Sequence, residues 1–270
     1  MVAWPPAGIT VVPEDMILGS LSKYVMQPQY VLTIIFTYVI LVHVLQPPKE
    51  KSTVSRIEAK KSTKDIGKVA KQNSALTAFI FLHNTFLCLY SAWTFVKSAP
   101  LVYKVFTTEG VCDPNNVSWN SGMLEITYLF YLSKYYEFVD TAIILMKGRR
   151  VITLQTYHHA GAILGMYLGC LFIPTQIYSF VVFNSFVHTI MYAYYALTSI
   201  GFTPPGKKYI TKMQLTQFFL GFGVATVMSF FEHCNQFTKV LATSVNLLYV
   251  IPLVSLFLDF SKKTYKKKAE

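Results

Sequence analysis

TLQTYHHAGAILGMYLGCLF, residues 153–172, is the stretch on which the fold turns. It begins with a polar knot, Gln155-Thr156-Tyr157-His158-His159, and continues as an apolar run of membrane-embedded character. Groups that ionise are rare inside bilayer-spanning helices, because hydrocarbon penalises them by several kcal/mol unless partners or water compensate. Two adjacent imidazoles there are either a satisfied structural pair near an interface or a working pair. The neighbouring segments decide between these readings.

Working outward, 53% of the 270 residues are hydrophobic, and the mean hydropathy is +0.41. That exceeds what a soluble core needs, so the chain reads as one polytopic membrane domain over residues 1–270. Its start, MVAWPPAGITVVPEDM, has neither a basic beginning nor a continuous apolar run, so no cleavable signal peptide is expected and the first span does the targeting. The net charge of +11 raises nucleic acid as a partner. Against that, the lysines and arginines lie in short blocks between apolar runs, the pattern of cytoplasmic loops facing anionic headgroups or an anionic substrate.

Seven spans are predicted, over residues 29–46, 74–96, 122–146, 153–172, 177–200, 210–231 and 240–260. The linker 47–73, the turn after 146, the segment 201–212 and the tail 261–270 hold 19 of the 24 Lys and Arg. An odd span count puts all four on the side of the C-terminus, so that side is cytoplasmic and residues 1–28 are luminal. Cys88 and Cys170 fall inside spans as small apolar fillers. Cys112 and Cys234 fall in luminal loops, where an oxidising compartment permits a bond between them. The sequon Asn116-Val117-Ser118 shares the first of those loops, making Asn116 a candidate glycosylation site.

Polar residues recur on one face of several spans. Span three has Lys134, Glu137, Asp140 and Thr141; span five has Asn184, His188, Met191, Tyr192 and Tyr195; span six has Thr211, Gln214 and Gln217; span two has His83-Asn84. Each stripe alone has a structural explanation, such as an internal Lys134–Glu137 ion pair or an interfacial tyrosine belt. Depth separates the readings. Asp140 lies about 10 Å in from Lys147 at roughly 1.5 Å per residue, and His158 and His159 lie about as deep. Independent accidents would scatter over both halves of the bilayer, so a single polar chamber opening to the cytoplasm is predicted. Lys147, Arg149, Arg150, Lys207, Lys208 and Lys212 would stand at its mouth and suit phosphates. A metal centre is not expected: Gln155 stands where a ligand paired with His158 would be, and adjacent histidines point about 100° apart.

KYYEFVDT (134–141), QTYHH (155–159), NSFVHTIMYAYY (184–195) and TKMQLTQF (211–218) resemble, in order, the four signature boxes of the fatty-acid elongases, membrane condensing enzymes of the endoplasmic reticulum. The resemblance extends over nearly the whole chain, with one departure: most animal members have histidine where this chain has Gln155, and the Gln form is similar to polyunsaturated-acid elongases of lower eukaryotes. It implies an all-α membrane fold in which spans two to seven form a six-helix barrel with span one outside. It implies condensation of an acyl-CoA, here a polyunsaturated C18 chain, with malonyl-CoA to 3-ketoacyl-CoA, CoA and carbon dioxide, without a cofactor. His158 would carry the acyl group as an acyl-imidazole, and His188, Asn184, Gln155 and Tyr192 would donate to the enolate, with His159 as orienter or proton carrier. Lys134, Glu137, Asp140, Thr141, Asn84, Tyr195, Gln214 and Gln217 would form the supporting network. Partners implied are membrane lipid and the downstream enzymes of the elongation cycle, and a homodimer is allowed. Lys267 and Lys268, at the third and fourth positions from the end, match a dilysine retrieval signal. Two other readings stay open: a seven-span lipid receptor or transporter, and a histidine-box lipid oxidase.

Overall fold

A computed structural model describes residues 12–49, 74–172 and 176–265. Most of the basic linker and the dilysine pair Lys267 and Lys268 lie outside the described residues. Among those described there is no strand. The helices are α1 (Ser22–Val25), α2 (Pro28–Val44), α3 (Ser74–Thr108), α4 (Leu124–Tyr136), α5 (Phe138–Met146), α6 (Thr153–Phe172), α7 (Gln176–Ser199), α8 (Lys207–Met228) and α9 (Phe237–Tyr265). By length and composition α3, α7 and α9 are apolar enough to cross a membrane, and a fourth span results if the segment Gly19–Val25, bent by 75° against α2, counts with it. Helices α6 and α8 have comparable lengths of 20 and 22 residues, but their polar stripes lower their hydropathy.

Two features depart furthest from the sequence reading, while α8 and α9 are shifted or lengthened by three to five residues at their ends. Helix α3 runs on for 35 residues to Thr108 instead of stopping near Val96, with Pro100 inside it. Proline removes one backbone donor, but the buried face of Ser98 before it continues with Val102 and Val105 after it, so packing outweighs the break. Span three is divided at Glu137, where α4 ends and α5 begins. The Asp140 amide there bonds the Glu137 carbonyl at 3.0 Å, a tighter turn that re-aims the side chains on either side. Helix α5 then closes on Gly148, whose φ of 62° suits glycine, with the Arg149 amide returning to the Ile144 carbonyl.

Helix α3 packs most extensively on α7, α7 on α8, α8 on α9, α9 on α6, α6 on α4, and α4 on α3 again, while α2 lies against α6. Small residues make the α3 seam close: Ser91, Thr94 and Ser98 are all buried. On α6, glycine brings α9 near. An alanine Cβ at Gly161 would stand 2.0 Å from Cε2 of Tyr249, and one at Gly165 would stand 2.5 Å from Oδ1 of Asn246. Gly161→Ala should therefore destabilise by about 1–3 kcal/mol, the usual cost of overpacking. Thermal unfolding in detergent checks this, and an unchanged midpoint would contradict the close approach.

At the end of the molecule opposite the basic turns, Cys112 is disulfide-bonded to Cys234, tying the α3–α4 connection to the α8–α9 turn. The bridge packs on Met228 and Phe106. Beside it the buried Asp113 carboxylate accepts the Val117 amide (2.8 Å), the Ser118 amide (3.0 Å), the Ser118 hydroxyl and the Tyr178 hydroxyl (3.3 Å). Asn116 is exposed, whereas the hydroxyl of its sequon partner Ser118 is taken up by Asp113.

Candidate active site

Three polar groups occupy the interior near the basic-turn end. The first is built within α6, where Gln155 and His159 are one turn apart. Gln155 Nε2 is 2.7 Å from His159 Nε2. An amide N–H only donates, so His159 accepts through Nε2 and its proton sits on Nδ1. Adjacent His158 projects differently, its ring centroid 5.5 Å away at 66°.

The second group joins α4 to α7. Lys134 Nζ donates to Glu137 Oε1 at 2.6 Å and to Asn184 Oδ1 at 3.4 Å, and stands 3.9 Å over the Phe130 ring. Asn184 Nδ2 meets His188 Nε2 at 3.3 Å, leaving His188 Nδ1 directed at Glu137 Oε1, 3.8 Å away. Lys134 and Glu137 have side chains only 3% exposed, so each ion depends on the other.

The third group joins α5 to α3 and α7. Asp140 Oδ1 accepts from His83 Nε2 at 2.8 Å, and Oδ2 accepts the Tyr192 hydroxyl at 2.7 Å. The His83 ring continues to the Tyr136 hydroxyl through Nδ1, 3.3 Å away. Tyr192 stands edge-on to His188 at 5.5 Å, linking this group to the second. Tyr195 in turn stands edge-on to Tyr192 and is partly exposed.

The remaining candidates divide. Gln217 is buried and lines the same channel as His158. Gln214 Nε2 points to the sulfur of Met191 at 3.2 Å. Asn84 is buried but donates to the Ile80 carbonyl of its own helix at 2.7 Å. Thr141 turns away from the interior, its hydroxyl 2.9 Å from Tyr38 on α2. Lys207, Lys208 and Lys212 are exposed at the start of α8, with Lys208 and Lys212 over the Tyr209 ring. Lys147, Arg149 and Arg150 are half-buried after α5. Burial first, and neighbouring Arg149 second, pull the Lys147 ammonium below the usual lysine range. Arg150 donates to the Pro47 carbonyl at 2.6 Å.

His158 lies at one end of a channel bounded by α6, α7, α8 and α9. The walls are mostly apolar, among them Met166, Phe180, Phe222 and Leu253, and the channel extends to Gln176 and Thr243 near the starts of α7 and α9. An imidazole at the end of a long greasy slot is suited to meet the reactive head of a molecule with an apolar tail. Two side chains that contact the predicted site residues were given no role of their own in the sequence reading. His83 was seen only as the neighbour of Asn84, although it shares the buried face Ile80, Asn84, Leu87. Tyr249 on α9 contacts His158 and had no motif to mark it. Among the described residues no three His, Cys, Asp or Glu side chains converge in metal-ligating geometry.

The family model described as "ELO: GNS1/SUR4 family" matches residues 23–270. The chain is similar to Fatty acid elongase A of Dictyostelium discoideum, 32% identical over 216 residues, covering 74% of this chain and 76% of that one. Fatty acid elongase 5 of Trypanosoma cruzi (strain CL Brener) is 32% identical over 204 residues, covering 72% and 74%. Very long chain fatty acid elongase 5 of Mus musculus is 30% identical over 210 residues, covering 73% and 68%.

Proposed function

The chain belongs to the ELO (GNS1/SUR4) family and acts in fatty acid elongation, and from that premise we propose that it condenses a polyunsaturated C18 acyl-CoA with malonyl-CoA through an acyl-imidazole on His158. The observation that carries this reading is the position of His158 at the head of an apolar channel, with the His159 ring 5.5 Å from its own. Nε2 of neutral His158 attacks the thioester carbonyl; the N–C bond forms, the C–S bond breaks, and the departing CoA thiolate takes the proton that Nδ1 gives up. Malonyl-CoA then loses carbon dioxide. The enolate carbon left behind attacks the held acyl carbonyl, the N–C bond breaks, and the imidazole regains a proton from solvent. Asn184 and Gln155 supply amide N–H donors for the enolate oxygen in a water-poor site, with His159 as orienter; Tyr192, whose one proton goes to Asp140, and His188, whose Nδ1 faces Glu137, hold the neighbouring carboxylates in place. The basic residues from Lys147 to Arg150 and from Lys207 to Lys212 bind CoA phosphates.

The returning order of helix neighbours supports a six-helix barrel from α3 to α9, with α4 and α5 together as one span and α2 outside, the fold of one seven-span domain. In that topology the disulfide end is luminal, the basic turns are cytoplasmic, and the membrane is that of the endoplasmic reticulum.

Purified protein given an acyl-CoA and labelled malonyl-CoA, with a chelator present, should release labelled carbon dioxide and a 3-keto chain two carbons longer. A receptor or transporter would bind without releasing carbon dioxide, and an iron-dependent oxidase would be silenced by the chelator. Absence of the longer chain overturns the elongase reading. Across a panel of saturated, monounsaturated and polyunsaturated acyl-CoAs, turnover should be fastest with the polyunsaturated C18 chain.

A further inference from the structure

We propose that Tyr249 is a positioning residue that fixes the tautomer of His158, holding the proton on Nδ1 so that Nε2 presents its lone pair to the channel. The inference rests on the acyl-imidazole reading for its catalytic consequence, but its geometric basis is separate. The Tyr249 hydroxyl lies 3.0 Å from the backbone carbonyl of His158 and 3.2 Å from His158 Nδ1. A carbonyl only accepts, so the single hydroxyl proton is committed to it. The same oxygen then meets Nδ1 as an acceptor, which requires Nδ1 to carry hydrogen. A neutral imidazole has one N–H, and Nε2 is left with a free pair. The other tautomer would set the Nδ1 lone pair against an oxygen lone pair, or force the hydroxyl to abandon the carbonyl.

The ring of Tyr249 is held independently of this hydroxyl. It fills the space beside Gly161 and stacks on Tyr157 at 5.4 Å and 25°. The Tyr157 hydroxyl donates to the Tyr249 carbonyl at 3.1 Å, reciprocating the bond that Tyr249 makes to His158. Two neighbouring residues of α6 are thus latched to one residue of α9. Phe218 and Phe257 flank the His158 ring edge-on and offer it no competing polar partner.

Tyr249→Phe keeps the ring and removes the hydroxyl, so the test uses that variant in the full chain. Acyl-CoA turnover should fall about 2- to 10-fold in kcat with KM unchanged, in proportion to the fraction of the productive tautomer. That is less than the roughly 10⁴-fold loss when the wrong tautomer is locked in place, because the phenylalanine holds neither form. A purely packing role would leave kcat intact, and full kcat in a folded variant overturns the proposal. The second measurement needs no turnover: ¹⁵N NMR of histidine-labelled protein, with the His158 signal assigned by its loss in His158→Ala. Wild type should show Nδ1–H, and Tyr249→Phe a mixture of tautomers. Nε2–H in the wild type overturns the proposal whether or not the variant folds. If wild type makes no elongated product yet shows Nδ1–H, the functional reading fails and the tautomer assignment stands.

Discussion

Replacing His158 by alanine should lower condensation on the order of 10⁴-fold or more, the scale seen when a covalent nucleophile is deleted, while the protein still folds. Among the described residues the side chain makes one hydrogen bond, through Nδ1 to Tyr249, and ring contacts to His159, Phe218 and Phe257. Tyr249 keeps its bond to the His158 backbone carbonyl in the variant, and Tyr157 keeps its bond to Tyr249, so the α6–α9 latch survives. The loss of stability is confined to one hydrogen bond and a small cavity at the channel head, about 1–3 kcal/mol. Under the proposed mechanism the chemistry, by contrast, loses the atom that holds the acyl group between the two half-reactions. Labelled acyl-CoA supplied without malonyl-CoA should leave label on the wild-type protein and none on the variant. Turnover at the wild-type rate in His158→Ala refutes the nucleophile assignment.

Lys134→Met should have the largest effect on stability. Lys134 and Glu137 are both almost fully buried, and the ammonium is the nearest cation to the carboxylate, at 2.6 Å. Removing one member of such a pair costs about 3–5 kcal/mol, because the other charge is left without compensation in a medium that solvates it poorly. For a chain of this size that is a fall of roughly 6–20 °C in the unfolding midpoint. Asn184 also loses a donor, which loosens the support of His188. The double variant Lys134→Met/Glu137→Gln removes both charges and should recover most of the midpoint, since a neutral pair has no ion to strand. A single variant that unfolds like the wild type in detergent would show that Glu137 finds its compensation elsewhere.

Contacts one turn apart along the chain were legible from spacing. Lys134 with Glu137, Gln155 with His159 and Asn184 with His188 are pairs at i+3 or i+4, and helical geometry alone makes them neighbours. Asp140 is a different case. Its stripe on span three marked it as inward, but its partners His83 and Tyr192 are 57 and 52 residues away on other helices. Thr141 follows it directly in sequence and yet faces α2, since one residue rotates the side chain by about 100°. The end of α3 lies 12 residues beyond the predicted 96, because the packing of Ser98, Val102 and Val105 continues the helix past the apolar run.

The sequence by itself determined that the chain is a helical membrane protein, which family boxes it carries, and which residues share a helix face, because apolar run length and a 3.6-residue period are written along the chain. Only the tertiary structure decided what each face meets. It set His83 on Asp140, Tyr38 on Thr141 and Tyr249 on His158, pairs whose distances depend on how far each helix is rotated and slid against its neighbour. That adjustment is made by close packing across the whole bundle, as when the missing Cβ of Gly161 admits the Tyr249 ring.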